Sequence, residues 1–162
     1  MMKTCETPSI LFVCLGNFCR SPLVEAVARH RAAQAGLSLT LASCGTGNWH
    51  VGKGADPRMV RAAAEAGYDL SPHRARQVRA ADFHDFDWVL AMDSDNRETL
   101  DGLRRGQGQT PVLFLPWAGV AGVEEFPDPY FGDTEGFRRA VALAEQGVDG
   151  LIARLRSQRI ES

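Results

Sequence analysis

The sequence lacks the features that mark nucleic-acid-binding and membrane-spanning proteins. Its 162 residues include 18 basic and 20 acidic side chains, and the formal net charge of −2 provides no cationic surface for nucleic acid or anionic lipid. No apolar run approaches the roughly 18 residues of a membrane span, and residues 1–9 lack the apolar core of a signal peptide. We therefore expect one domain over residues 1–162, with a short tail at residues 1–8 and with no nucleic-acid or membrane partner.

Cysteine and histidine are also scarce. The chain has four of each, and their spacing matches neither a disulfide framework nor a set of metal ligands. This usage predicts a reducing, cytoplasmic location, and it predicts neither a metal nor another cofactor. The Gly-x-x-x-x-Gly-Lys-Ser/Thr loop of nucleotide-binding proteins is absent as well.

What the sequence does contain is a buried strand that leads through a tight loop into a helix. The apolar run at residues 10–13 is typical of a strand buried on both faces of a parallel sheet. Gly16 and Asn17 tolerate left-handed backbone angles, and Ser21-Pro22 has the composition of a helix start with the serine as its cap. Backbone N–H groups that point into such a loop form, with the helix dipole, a site for an anion.

Cys14 and Arg20 stand at the two ends of this loop and give it reactive chemistry. The guanidinium of Arg20 can hold a phosphate by two parallel hydrogen bonds. The positive surroundings favour the thiolate form of Cys14, and a thiolate beneath a bound phosphoryl group is placed to attack phosphorus. The hydroxyl of Ser21 can also donate to that thiolate. The N–H groups that complete the phosphate site belong to Leu15, Gly16, Asn17, Phe18, Cys19 and Arg20.

Strand and helix patterns alternate along the rest of the chain. We predict further strands at residues 39–43, 87–92 and 112–115, and helices at about 21–36, 56–67, 94–104 and 134–156. This alternation predicts an α/β fold with a parallel sheet. Ligands bind such sheets at the carboxyl ends of the strands, so the loops after Ser43, Met92 and Leu115 should carry the other parts of the site.

Residues 13–22, Val-Cys-Leu-Gly-Asn-Phe-Cys-Arg-Ser-Pro, closely resemble the signature of the low-molecular-weight protein tyrosine phosphatases. Several phosphatase classes share a cysteine, five residues, an arginine and a serine or threonine. The longer form with Gly-Asn, a second cysteine and Ser-Pro is much more specific. The resemblance runs from Ile10 to the last helix. It implies a single-domain, four-stranded, flavodoxin-like sheet and the metal-free hydrolysis of phosphotyrosine and small aryl phosphates through a cysteinyl-phosphate.

An Asp-Pro-Tyr triplet at residues 128–130 lies in the long loop before the last helix. By its residues alone, the triplet suits an ordinary turn as well as a general acid for the departing phenoxide. The family carries its general acid in such a triplet, and the resemblance therefore implies this role for Asp128. Glu124, Glu125 and Asp133 are the alternatives in the same loop.

Aromatic side chains fall on loops at the expected active edge and suit the walls of a slot for an aryl ring. These residues are Phe18, Trp49, Tyr130 and Phe131. The resemblance implies the wall role for Trp49 and Tyr130. Many relatives carry a second tyrosine at the position of Phe131, so phosphorylation at that point is excluded in this chain.

The resemblance implies two supporting roles as well. A loop that aims its N–H groups inward is strained, and the family braces its loop asparagine with a serine and a histidine, here Asn17, Ser43 and His73. Cys19 lies in the same loop as Cys14, close enough for its thiol to capture an oxidised Cys14 as a disulfide. Similar enzymes carry this second cysteine and are reversibly inactivated by peroxide.

Two other functions use a loop of this kind. Arsenate reductase shares the fold, but its thioredoxin-coupled form needs two further cysteines around the third strand, and this chain has none after Cys44. An inactive phosphotyrosine-binding module would not require a nucleophile, an arginine and an acid together. For the favoured function, the partners are phosphotyrosine-containing proteins as substrates. The sequence names neither these substrates nor a partner tyrosine kinase.

Overall fold

A parallel sheet of four strands forms the centre of the part of the chain that the structure describes, residues 7–130 and 132–161 of a computed structural model. The strands stand in the order β2-β1-β3-β4. Their bounds are Ser9–Cys14 for β1, Thr40–Gly45 for β2, Trp88–Ala91 for β3 and Val112–Leu113 for β4. The predicted α/β fold with a four-stranded parallel sheet is confirmed. Residues 1–6 of the predicted tail lie outside the described residues, and so does Phe131.

Helices connect and cover the strands. They are α1 (Arg20–Gln34), α2 (Pro57–Glu65), α3 (Asp82–Asp85), α4 (Ser94–Arg104), α5 (Phe114–Trp117) and α6 (Thr134–Glu161). None of these described helices is both long and apolar enough to cross a membrane. The single turns α3 and α5 were not predicted, because one turn of helix shows no periodicity.

Most boundaries differ from prediction by one or two residues, and two larger differences have local reasons. β4 has two residues instead of four, because the buried Phe114 and Leu115 belong to α5 and not to the strand. The last helix continues past the predicted end near Arg156 to Glu161, since neither glycine nor proline follows in this segment.

The apolar run of β1 is buried on both faces of the sheet, as predicted. Ile10 and Phe12 pack into the larger core with residues of α1, α2 and α6, and Leu11 and Val13 pack into a smaller core on the opposite face. Successive side chains of a strand point to opposite faces, so a strand covered on both sides must be apolar at every position.

The carboxyl end of β1 lies between the ends of its neighbours. Cys14 pairs with Gly45 of β2, and Val13 pairs with Ala91 of β3. The loop after β1 rests directly on Gly45, where a Cβ atom would lie 2.8 Å from the carbonyl oxygen of Leu15 and 2.9 Å from the nitrogen of Asn17. The sheet therefore places the loops after β1, β2 and β3 at one edge, where its strand order switches direction.

Candidate active site

The loop between β1 and α1 is held by its buried asparagine. Asn17 has a left-handed backbone with φ of 54° and is fully buried. Its Nδ2 donates to the hydroxyls of Ser21 at 2.9 Å and Ser43 at 3.0 Å, and its Oδ1 accepts the N–H of Arg76 at 2.9 Å. These three bonds offset the cost of an unfavourable backbone region.

The predicted partners of Asn17 do come together around it. Nε2 of His73 lies 2.8 Å from the Asn17 carbonyl oxygen and must donate, since a carbonyl only accepts. The hydroxyl of Ser43 donates a hydrogen bond to Oε1 of Glu25 at 2.7 Å. Glu25 and the Arg76 N–H were missed, because nothing in their neighbouring residues distinguishes them from ordinary surface positions.

Ser21 lies beside the candidate nucleophile. Its Oγ is 3.0 Å from Sγ of Cys14, and a Cys14 thiolate would accept the hydroxyl proton. The predicted capping role is wrong: Cys19 occupies the cap position, and α1 has no side-chain cap. The hydroxyl of Ser21 instead faces Cys14 and Asn17, which leaves the first N–H groups of the helix suited to an anion.

Arg20 is buried and fixed in direction by groups from distant parts of the chain. Its Nη1 donates to Oδ2 of Asp93 at 2.7 Å and to the carbonyl of Phe126 at 2.9 Å. Asp93 also caps α4, as its Oδ1 accepts the N–H of Asn96 at 2.8 Å. Asp93 and Arg20 are 73 positions apart in the chain, so local sequence carries no signal of their contact.

Among the four candidate acids, Asp128 is the one that lines the cavity above Cys14. Its side chain is 44% exposed, and its Oδ2 lies 3.7 Å from Nη2 of Arg20. Glu125 instead accepts the N–H of Ser94, and Asp133 accepts the N–H of Gly136 at the start of α6. Glu124 does not line the cavity. The geometry therefore favours Asp128 as the acid.

This cavity has a volume of about 470 Å³. Its lining residues are Cys14, Leu15, Gly16, Phe18, Cys19, Arg20, Trp49, His50, Asp128 and Tyr130. The structure thus brings three of the four predicted aromatic residues together. The ring of Trp49 lies over Gly47, where a Cβ atom would overlap it.

His50 also lines the cavity, a position that was not predicted. Its ring stacks on Phe18 with centroids 3.9 Å apart and an angle of 7° between the planes. Among the described residues, no group of three or more histidine, cysteine or acidic side chains is arranged to hold a metal. Histidine beside phenylalanine in a stacked pair leaves no periodic signal in sequence, so only the fold reveals it.

Cys14, Cys19 and Cys44 are buried free thiols. Sγ of Cys19 donates to Oδ2 of Asp56 at 3.7 Å. Burial, together with the negative charges of Asp56, Asp128 and Cys14, raises the pKa of the Cys19 thiol well above its ordinary range. Cys19 is therefore protonated beside the candidate nucleophile, and its redox role stays a prediction.

Comparisons with known proteins identify the family of this chain. A family model described as low molecular weight phosphotyrosine protein phosphatase matches residues 9–161. A low molecular weight protein-tyrosine-phosphatase of Streptomyces coelicolor is 40% identical over 158 residues, which cover 94% of this chain and 96% of the relative. A phosphatase of the same class from Schizosaccharomyces pombe is 41% identical over 132 residues, or 79% of this chain and 84% of that one.

Solved structures are similar over the same span. The crystal structure of YfkJ from Bacillus subtilis superposes with a TM-score of 0.87 at 32% identity, over 94% of this chain and 97% of the other. The residues matched by the family model, 9–161, include the sheet, the loop after β1 and Asp128. The chain therefore belongs to the low molecular weight phosphotyrosine protein phosphatase family.

Proposed function

We propose that this protein hydrolyses phosphotyrosine in proteins, and small aryl phosphates, through a cysteinyl-phosphate intermediate. The observation that carries the proposal is one cavity lined by a thiol, a fixed guanidinium and a carboxyl group, those of Cys14, Arg20 and Asp128. The family supports the reaction class, and the geometry supports a separate role for each of these three groups.

The phosphate group binds between the N–H groups of residues 15–20 and the guanidinium of Arg20. Asp93 and the Phe126 carbonyl occupy Nη1, while Nη2 and Nε make no hydrogen bond to the described residues. These two nitrogens are therefore suited to a bidentate grip on two phosphate oxygens. The dipole of α1 adds positive potential at the same point.

In the first step the Cys14 thiolate attacks phosphorus, a sulfur–phosphorus bond forms and the phosphorus–oxygen bond to the tyrosine breaks. The leaving oxygen takes a proton from Asp128. In the second step the ionised Asp128 removes a proton from water, and the water oxygen attacks phosphorus. The sulfur–phosphorus bond breaks, and inorganic phosphate and the Cys14 thiolate are released. The Ser21 hydroxyl stabilises the departing thiolate from 3.0 Å. No step calls for a metal ion.

The depth and walls of the cavity favour an aryl ester. Cys14 is only 3% exposed, so the phosphate must reach the floor on a long arm. Phe18, Trp49 and Tyr130 offer aromatic faces to that arm. Phosphotyrosine is both long enough and aromatic, whereas phosphoserine is neither. A free catalytic thiol also requires a reducing compartment, which supports a cytoplasmic location.

The test is hydrolysis of p-nitrophenyl phosphate in EDTA by wild type and Cys14→Ser. Wild type should turn over, and Cys14→Ser should be inactive yet bind inorganic phosphate with similar affinity, because the N–H groups and Arg20 remain while an alcohol is a far weaker nucleophile. Phosphate binding is measured by calorimetry. Comparable turnover in the variant would refute the thiol mechanism. A wild type that binds without turnover would indicate a binding module, and thioredoxin-dependent reduction of arsenate without hydrolysis would indicate a reductase.

A further inference from the structure

Asp56 and Arg58 at the start of α2 form a closed ion pair next to the active site. Asp56 caps the helix by accepting the N–H of Arg58 at 2.8 Å. The Arg58 guanidinium returns to the same carboxylate, with Nε 3.1 Å from Oδ1 and Nη2 2.7 Å from Oδ2. The carboxylate is 3% exposed and the guanidinium 43% exposed. A two-point contact of this kind fixes the plane of the guanidinium.

The pair is attached on one side to the loop between β1 and α1, residues 14–20, here called the phosphate loop. The N–H of Asp56 donates to the carbonyl of Phe18 at 2.8 Å, and Oδ2 of Asp56 accepts the Cys19 thiol at 3.7 Å. Because these contacts fix Asp56 relative to the loop, they also fix the position of Arg58.

On the other side, Arg58 contacts the segment that carries the candidate acid. Its Cζ lies 5.2 Å from the ring centroid of Tyr130 and 4.7 Å from that of Phe137 at the start of α6. Tyr130 follows Asp128 by two residues, and its N–H donates to Oδ1 of Asp128 at 3.0 Å. Guanidinium groups bind aromatic faces in this geometry.

A gap lies beside this contact, between α2 and the start of α6. It is a cavity of about 250 Å³, lined by Arg58, Arg61, Ala62, Glu65, Gly132, Asp133, Thr134 and Phe137. Arg58 lines this gap and contacts the Phe137 ring on its α6 side.

We propose that Arg58 is a positioning residue for the general acid. Its guanidinium is attached to the phosphate loop through Asp56 and binds the Tyr130 ring. This contact holds the Asp128-Pro129-Tyr130 segment over Cys14. This inference rests on the proposed phosphatase function. Arg58 touches neither the phosphate nor the leaving group, and it acts through the distance between Asp128 and the bound ester.

The test compares kcat/KM for two substrates. Phenyl phosphate needs a proton on its leaving oxygen, and 2,4-dinitrophenyl phosphate does not. Arg58→Met should lower kcat/KM for phenyl phosphate by about five- to thirtyfold, the size expected for two partly exposed cation–π contacts. The value for 2,4-dinitrophenyl phosphate should fall much less. Inorganic phosphate should inhibit the variant as well as it inhibits wild type, because the phosphate loop is unchanged.

Two controls separate positioning from general damage. Arg61→Met removes an arginine that lines the same gap but does not line the cavity above Cys14, and it should leave both rates unchanged. In an Asp128→Ala background, Arg58→Met should cause little further loss with phenyl phosphate, because the acid that it positions is gone. Hydrogen exchange of the Asp128 and Tyr130 amides should be faster in Arg58→Met than in wild type.

Equal losses with the two substrates, an additive loss in the double variant, or unchanged exchange of the Asp128 and Tyr130 amides would each overturn the proposal. If Arg58→Met does not fold, Arg58→Lys serves instead, since it keeps the charge opposite Asp56 but lacks the planar fork. A wild type without activity toward either substrate would refute the phosphatase function itself, a result distinct from these.

Discussion

Asp93 uses its two carboxylate oxygens for two different elements. Oδ1 caps α4, and Oδ2 fixes Arg20. Ser21 is similar, because its hydroxyl faces the Cys14 sulfur and also accepts from Asn17. At the scale of single residues, the site therefore depends on polar atoms with two partners, and each substitution there removes two interactions.

Asp128→Ala should lower kcat/KM for phenyl phosphate by about 10²–10⁴-fold, the usual contribution of a positioned acid. The loss should shrink for 2,4-dinitrophenyl phosphate, whose leaving group departs without a proton. Steady-state kinetics on the two substrates provide the measurement. Glu125→Ala is the matched control, because this acid of the same loop contacts the Ser94 N–H and not Arg20. Equal losses on both substrates, or the larger loss in the control, would remove Asp128 from the acid role.

Peroxide should inactivate the enzyme reversibly through Cys14 and Cys19. The Cys14 thiolate reduces peroxide and becomes a sulfenic acid. The Cys19 sulfur then attacks the sulfenic sulfur, a disulfide forms and the sulfur–oxygen bond breaks. Asp56 is placed to take the Cys19 proton first and return it to the departing hydroxyl, which leaves as water. A thiol reductant should restore activity, and bound phosphate should slow the loss. Cys19→Ser should keep most activity when reduced and recover poorly after oxidation.

Peptide mass spectrometry after mild peroxide identifies the disulfide partners. A Cys14–Cys44 pair, or full recovery of Cys19→Ser, would contradict the redox role of Cys19. Cys44→Ser is the control and should recover like wild type, because Cys44 belongs to β2 and not to the loop.

At the scale of elements, the contact between β2 and the loop after β1 fixes the phosphate site. Gly45→Ala should lower both activity and stability, since its Cβ would lie within 3 Å of three backbone atoms of residues 15–17 that cannot move independently. We expect a destabilisation of about 1–3 kcal/mol, as for other overpacked sites. Urea denaturation and phosphate affinity are the measurements.

Gly102→Ala is the matched control, because nothing lies within 4 Å of a Cβ at this position in α4. Replacing a helical glycine with alanine should raise stability by about 0.5–1 kcal/mol and leave activity unchanged. If Gly45→Ala retains wild-type phosphate affinity, direct contact of β2 with the loop is not what fixes the site.

At the scale of the whole molecule, acid should destabilise the fold through Asp56. Burial alone would raise the pKa of this carboxyl, but the hydrogen bonds and charge of Arg58 outweigh it and lower the pKa below 3.8. A group whose pKa is lowered by folding stabilises the folded state above its unfolded value and loses that contribution as pH falls through the folded value. Thermal unfolding should therefore show stability falling below about pH 4.

Asp56→Asn should weaken this acid dependence. Asp69→Asn is the control: hydrogen bonds from the side chain and the N–H of Ser71 lower the pKa of Asp69 as well, but the group is exposed, and solvent screening should make its effect smaller. An acid transition that is identical in wild type and Asp56→Asn would show that the stability at low pH depends on other groups.

Local sequence was sufficient for the strand, loop and helix at residues 9–34. The apolar run, Gly16-Asn17 and Pro22 act through neighbours in the chain, and the α/β class follows from the alternation of such segments. The proposed nucleophile and its arginine could be predicted for the same reason, because one short loop carries both. The resemblance added the proposed acid, whose Asp-Pro-Tyr motif is local as well, and the proposed aromatic walls.

Tertiary structure alone decided which distant groups meet at that loop. Asp93 and Phe126 reach Arg20 across 73 and 106 positions, and Arg76 reaches Asn17 across 59. Tertiary contacts also turned the Ser21 hydroxyl away from its predicted cap, stacked His50 on Phe18, and placed Arg58 against Tyr130. Hydrogen bonds and ring contacts depend on distance in space, and separation along the chain carries no signal of that distance until the sheet brings its strand ends to one edge.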